Sequence, residues 1–144
     1  MIAIGCDHAG VELKKAVIAY LTEKGFEMKD MGTDGEPCDY PNMAETVCGL
    51  VTSGECEKGI LICGTGIGMS MAANKIKGIR AALCSDAFST KYTRLHNDAN
   101  VMCMGARVLG PGLASELAEI FLTTGFEGGR HQRRIDLITA LENK

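Results

Sequence analysis

The chain has no tryptophan, only three tyrosines and four phenylalanines, and no block of lysine and arginine; its net charge is −3. A nucleic-acid surface needs cations for the phosphates and aromatic faces for the bases, and both are scarce here. No apolar run approaches the ~18 residues that a membrane-spanning helix requires. The opening stretch MIAIGCDHAG lacks a basic leader and reaches a charge at Asp7, so the chain is expected to stay in the cytoplasm. Seven cysteines occur without a C-x-x-C pair or clustered Cys/His spacing, which argues against a disulfide framework and a zinc knot. Four of them, Cys6, Cys63, Cys84 and Cys103, fall in or at the ends of apolar segments, where cysteine commonly serves as a small core residue.

What is present is 144 residues with 46% hydrophobic content, enough for one domain with an ordinary core over residues 1–144. Strand-like and helix-like pieces alternate. MIAIGC reads as a strand, and GVELKKAVIAYLTEKG as a helix whose Val11, Leu13, Val17, Ile18 and Leu21 recur at helical spacing. FEMKDMG, GILIC, IRAALCS and ANVMCMG supply four more strands. Helices are expected over YPNMAETVCGLVTSG, GIGMSMAANKIKG, DAFSTKYTRLHND and GPGLASELAEIFLTTG, the last with Pro111 near its start. A C-terminal helical tail covers about residues 130–142. The alternation predicts an α/β fold: a Rossmann-like, three-layer α/β/α sandwich around a five-stranded parallel sheet.

In such folds a ligand lies beyond the carboxyl ends of the strands. There the sequence places Asp7 and His8 after the first strand, Cys63 and the loop Gly64-Thr65-Gly66-Ile67-Gly68 after the third, Ser85 and Asp86 after the fourth, and Arg107 after the fifth. Asp7 and Asp86 are equally explained as helix caps, and capping is the preferred reading for Asp86. The glycine loop lacks the Gly-Lys-Ser/Thr of a Walker sequence, and its G-x-G-x-G spacing departs from the dinucleotide fingerprint. Its glycines admit close approach of backbone amides to a phosphate or a reaction oxyanion; a tight turn without ligand is the plainer explanation. Cys63 is either a core residue or a base facing the same space, at the positive end of the following helix. Further along, His96 and Asn97 close a helix. Arg130, His131, Arg133 and Arg134 gather in GGRHQRR, where Arg130 and Arg134 share a helix face and form a fork suited to phosphate.

With GCDHAG, DYP, ICGTGIGMSMAANK, RLHNDANV, GAR and GGRHQRR in order, the sequence resembles the ribose-5-phosphate isomerase B family, sister to the galactose-6-phosphate isomerase subunits, along essentially its whole length. The resemblance implies an aldose–ketose isomerase interconverting D-ribose 5-phosphate and D-ribulose 5-phosphate without cofactor or metal. A six-carbon sugar phosphate such as allose or galactose 6-phosphate is the alternative substrate. By position, Cys63 matches the family's base, and Gly64, Thr65, Gly66, Ile67 and Gly68 the anion hole. Thr65 and His96 match residues of ring opening, and Asp7, His8, Tyr40 and Asn97 match sugar contacts. Arg107, Arg130 and Arg134 match phosphate ligands, with His131 beside them. One branch of the family places a glutamate where this chain has Met69, which leaves Cys63 as the base here. The resemblance further implies a homodimer or dimer of dimers whose sites are shared between subunits.

Overall fold

Strands that are apolar on both faces leave neither face for water, so helices have to cover both. The computed structural model describes residues 1–144 and shows this arrangement. Strands β1 (Ile2–Cys6), β2 (Met28–Asp30), β3 (Lys58–Cys63), β4 (Ala81–Leu83) and β5 (Val101–Gly105) form one parallel sheet in the order β2-β1-β3-β5-β4. Side chains alternate across it. Ile2, Ile4, Cys6, Ile60, Ile62, Met102 and Met104 meet helices α1 (Val11–Glu23) and α5 (Pro111–Thr123) through Val17, Leu21, Leu117 and Phe121. Ala3, Leu61, Cys63, Val101 and Cys103 face the other way, onto α2 (Tyr40–Thr52) and α3 (Ile67–Ala73) through Val47, Met69 and Ala73. Helix α4 (Ala87–Asn97) packs beside α5, and α6 (Arg130–Leu141) packs on α4.

The five strands, the sandwich and all six helices agree with expectation; the lengths differ in places. The third helix stops at Ala73 instead of running to Gly78. The Asn74 amide turns to the sheet, donating from Nδ2 to the Ala81 carbonyl at 2.9 Å and accepting at Oδ1 from the Ala81 N–H at 2.8 Å. Side-chain bonds of this kind compete with continued helix. β2 and β4 are only three residues long, and both lie at the sheet edges, where one partner strand suffices. No helix is long and apolar enough to cross a membrane.

The stretch after β2 is tied down from below. Lys14 is fully buried, and its Nζ donates to Asp30 Oδ1 at 2.7 Å, with Asp34 Oδ1 at 3.6 Å. Burial pushes this ammonium down, but the hydrogen bond and charge of Asp30, with Cys6 and Asp34, outweigh it and hold the group above its usual value. Asp30 Oδ1 also accepts from the Gly32 N–H at 2.9 Å, and Thr33 N–H donates to the Cys6 carbonyl at 3.1 Å. The loop leading to Tyr40 therefore leaves from the end of β1.

Candidate active site

Parallel register brings the strand ends to one level. Cys6 pairs with Ile62 and Ile62 with Met104, while Cys63 pairs with Gly105. Asp7, Cys63 and the residues after Gly105 therefore share the carboxyl edge of the sheet. Asp7 is buried, and its Oδ1 accepts from the Ala9 N–H at 2.9 Å, capping a short 3-10 turn over His8–Gly10. His8 itself is exposed, as are Thr65 and Arg107.

Cys63 is 5% exposed, with its carbon on the α2–α3 face of the core. The Gly66 N–H donates to its Sγ at 3.2 Å. An amide aimed at the sulfur presents positive charge where a thiolate would carry its negative charge. The Gly64 and Thr65 amides have no partner within the chain, whereas the Ile67 N–H donates to Thr65 Oγ1 at 3.2 Å. Burial pushes the thiols of Cys6 and Cys84 up to about 11 and that of Cys48 to about 12, so these three stay protonated core residues. Met69 is fully buried, a core side chain with no access to ligand.

The three glycines of the loop are not equivalent. Gly66 has φ +82°, and a Cβ there would lie 2.8 Å from the Met104 backbone carbon, so the fold itself demands glycine. A Cβ on Gly68 would lie 2.6 Å from the Tyr40 ring. On Gly64 it would meet nothing nearer than Arg107, at 3.7 Å. The tight-turn explanation thus accounts for Gly66, and close packing of Tyr40 for Gly68; Gly64 is left as a bare backbone beside a guanidinium that has no ion-pair partner.

The remaining candidates form a second group at the other edge of the sheet. Helix α4 begins at Asp86, which caps it by accepting from the Ser89 N–H at 2.8 Å, and runs back toward the amino ends of the strands. Its last residue, Asn97, offers its carbonyl to Arg80 Nε at 3.0 Å, just ahead of β4. Gly59 to Cys63 spans roughly 13 Å of extended strand, so His96 and Asn97 are separated from Cys63 by about the height of the sheet. Beside them, His96 stacks on His131 with 4.0 Å between ring centroids and 12° between planes. Glu127 Oε2 lies 3.3 Å from His96 Nε2 and 3.4 Å from His131 Nε2. Burial pushes the His131 imidazole below its usual value, and the charges of His96 and Arg130 act the same way against the pull of Glu127. Arg130 and Arg134 are exposed on the first turns of α6.

The fold thus assembles Asp7, His8, Tyr40, Cys63, the 64–68 loop and Arg107 at one edge, and His96, Asn97, Arg130, His131 and Arg134 at the other. Sequence reading passed over Glu127; its spacing of four from His131 was the available signal. It also passed over the aromatic ladder on α4, where Phe88 stacks on Tyr92 at 4.4 Å and Tyr92 meets His96 edge-on at 5.1 Å.

A thiol with an amide aimed at it, open loop amides and an unpaired arginine at the carboxyl edge of a parallel sheet are the arrangement that a small α/β enzyme for an anionic, carbonyl-bearing substrate would need. The sequence profile described as Ribose/Galactose Isomerase matches residues 2–138, and the chain belongs to that family. It is 49% identical over 144 residues to ribose-5-phosphate isomerase B of Escherichia coli (strain K12), covering 99% of this chain and 97% of the relative. Among solved structures, ribose-5-phosphate isomerase B of Clostridium thermocellum superposes with a TM-score of 0.96 at 45% identity, covering 99% of this chain and 97% of that one. That of Mycoplasma genitalium, with bound ribulose-5-phosphate, does so with 0.93 at 41%, covering 99% and 96%.

Proposed function

We propose that this protein is an aldose–ketose isomerase interconverting D-ribose 5-phosphate and D-ribulose 5-phosphate, with residues 1–144 acting as one sugar-phosphate isomerase domain in the cytoplasm. The observation that carries the reading is the Cys63 sulfur at the end of β3 with the Gly66 amide 3.2 Å from it, beside the open Gly64 and Thr65 amides. Family membership and the substrate named for the relatives support the choice of sugar.

In this reading His96 donates a proton to the ring oxygen, the anomeric hydroxyl gives up its proton to water by way of Thr65, and the sugar opens to the aldehyde. The Cys63 thiolate removes the C2 proton of the aldose, leaving negative charge on O1 of a cis-enediolate. Donors among Gly64 to Gly68 hold that charge. The thiol then returns the proton to C1 as the O2 proton passes to O1, which produces the ketose and restores the thiolate. Asp7, His8, Tyr40 and Asn97 contact the hydroxyls. Arg107, Arg130 and Arg134, with His131, grip the phosphate, and binding energy from that remote group orients the reacting carbons.

The chemistry needs both edge groups at one sugar, and one chain holds them a sheet's height apart. A homodimer, alone or paired into a dimer of dimers, resolves this by setting the His96 edge of one copy over the Cys63 edge of the other. Exposed Ile67 and Met71 on α3 and exposed Phe88 on α4 offer apolar surface for such an association. The test is turnover of ribose 5-phosphate by chelator-treated protein, with allose 6-phosphate run in parallel. Efficient conversion of the five-carbon sugar is expected; preference for the six-carbon sugar would overturn the substrate, and inactivity on both would overturn the reaction.

A further inference from the structure

Two imidazoles and a carboxylate converge at the amino-edge group, and the carboxylate has no part in the isomerase chemistry. The donor atoms of His96, Glu127 and His131 all lie within 4.8 Å of one another. Ligand atoms about 2.0–2.1 Å from a tetrahedral zinc ion stand about 3.3 Å apart along the edges of the tetrahedron. The two edges that meet at Glu127 Oε2 already measure 3.3 Å to His96 Nε2 and 3.4 Å to His131 Nε2. We propose that His96, Glu127 and His131 form a site for one divalent transition-metal cation of the zinc type, and that its occupation inhibits the enzyme by taking Nε2 of His96.

The donor set selects the class of ion. Imidazole nitrogens with a single carboxylate favour zinc, nickel, cobalt or copper over the oxygen-seeking magnesium and calcium. His131 is buried on the first turn of α6, so one ligand has little freedom to move. Stacked rings 12° from parallel cannot aim both in-plane lone pairs at one ion. Binding therefore turns the half-exposed His96 ring about its Cβ–Cγ bond, breaks the stack and leaves a fourth position to water. Exposed Arg130 and Arg134 lie on the same helix turns and oppose a dication, which the Glu127 charge offsets. The binding site stands on the convergence of these three side chains and a turn of the His96 ring, whereas inhibition rests on the proposed role of His96 in ring opening.

The experiment is calorimetric titration of zinc chloride into the chelator-stripped full chain, paired with ribose 5-phosphate turnover, each variant measured against its own rate in chelator. Wild type is expected to bind one zinc per chain and to lose activity in step with binding, with chelator restoring it. Glu127→Gln is expected to weaken both binding and inhibition at least about tenfold. Cys63→Ser, assayed for binding only, is expected to bind as wild type does. Absence of zinc binding by wild type would overturn the site. So would binding kept in Glu127→Gln and lost in Cys63→Ser, since zinc would then be on the thiol. Zinc bound at the three residues without loss of turnover would overturn the inhibition, and an inactive protein in chelator would instead overturn the isomerase reading.

Discussion

At the scale of single residues, the proposed chemistry turns on the Cys63 sulfur and the Gly66 amide, and each predicts a distinct failure. Cys63→Ala removes the proposed base and is expected to lower kcat about a thousandfold, within the range of general-base contributions. Far-ultraviolet circular dichroism and melting temperature should stay close to wild type, because the change trims a single buried sulfur. The glycines separate folding from function. Gly66→Ala meets the Met104 backbone at a left-handed φ and is expected to cost roughly 2 kcal/mol or more in urea unfolding. Gly64→Ala has room for its methyl and is expected to shift stability by less than about 0.5 kcal/mol. Its methyl would stand beside Arg107 and the open loop amides, so KM for ribose 5-phosphate should rise. Equal damage from the two substitutions, in stability and in KM, would mean that the loop is only a turn.

At the scale of elements, two polar devices hold apolar pieces in place. Asp86 caps α4, and Asp86→Ala should lower the midpoint of urea unfolding. The Ser89 N–H holds the Asp86 carboxyl below its usual value, so its stabilisation is present above the ordinary carboxylate pKa of about 3.9. That stabilisation is lost as pH falls through the depressed folded value. Acid unfolding of Asp86→Ala should therefore converge with wild type at low pH, a comparison that two titration curves supply. The Lys14–Asp30 pair is a different case, since Lys14 is fully buried. Asp30→Asn keeps an amide oxygen for the ammonium but leaves it Asp34, at 3.6 Å, as its nearest carboxylate, and is expected to lower stability by chemical denaturation. A loss below about 0.5 kcal/mol would mean that water reaches Lys14 readily.

At the scale of the whole molecule, the proposed chemistry requires both edge groups at one sugar. Cys63→Ala and His96→Asn are each expected to be inactive as purified. After mixing, dissociation and reassembly, half of the dimers are mixed, and each mixed dimer holds one site free of both substitutions. Activity should then recover to about a quarter of wild type, following from two-fold symmetry. No recovery in assembled mixed dimers would show that the two edges act within one chain and that the sharing is wrong.

Much of the architecture is legible in the order of residues. Apolar runs such as Ile60 to Cys63 and the helical spacing of Leu13, Val17 and Leu21 announce strands and helices, because burial sets the period of each. The strand-end positions of Asp7, Cys63 and Arg107 then follow from chain order, since every parallel strand ends at the same edge. The order β2-β1-β3-β5-β4 is not legible there, because near-uniform apolar strands carry no mark of their neighbours. Nor is the partnership of Lys14 with Asp30, sixteen positions apart, or the convergence of His96, Glu127 and His131, which joins the end of α4 to the start of α6. By itself the chain determined its element sequence, its class and its family, which depend on local pattern and ordered motifs. Only the tertiary structure decided which glycine the turn requires, and that Cys63 and His96, the proposed base and ring-opening histidine, stand at opposite edges of one sheet. Those are distances between segments remote in sequence, and only packing sets them.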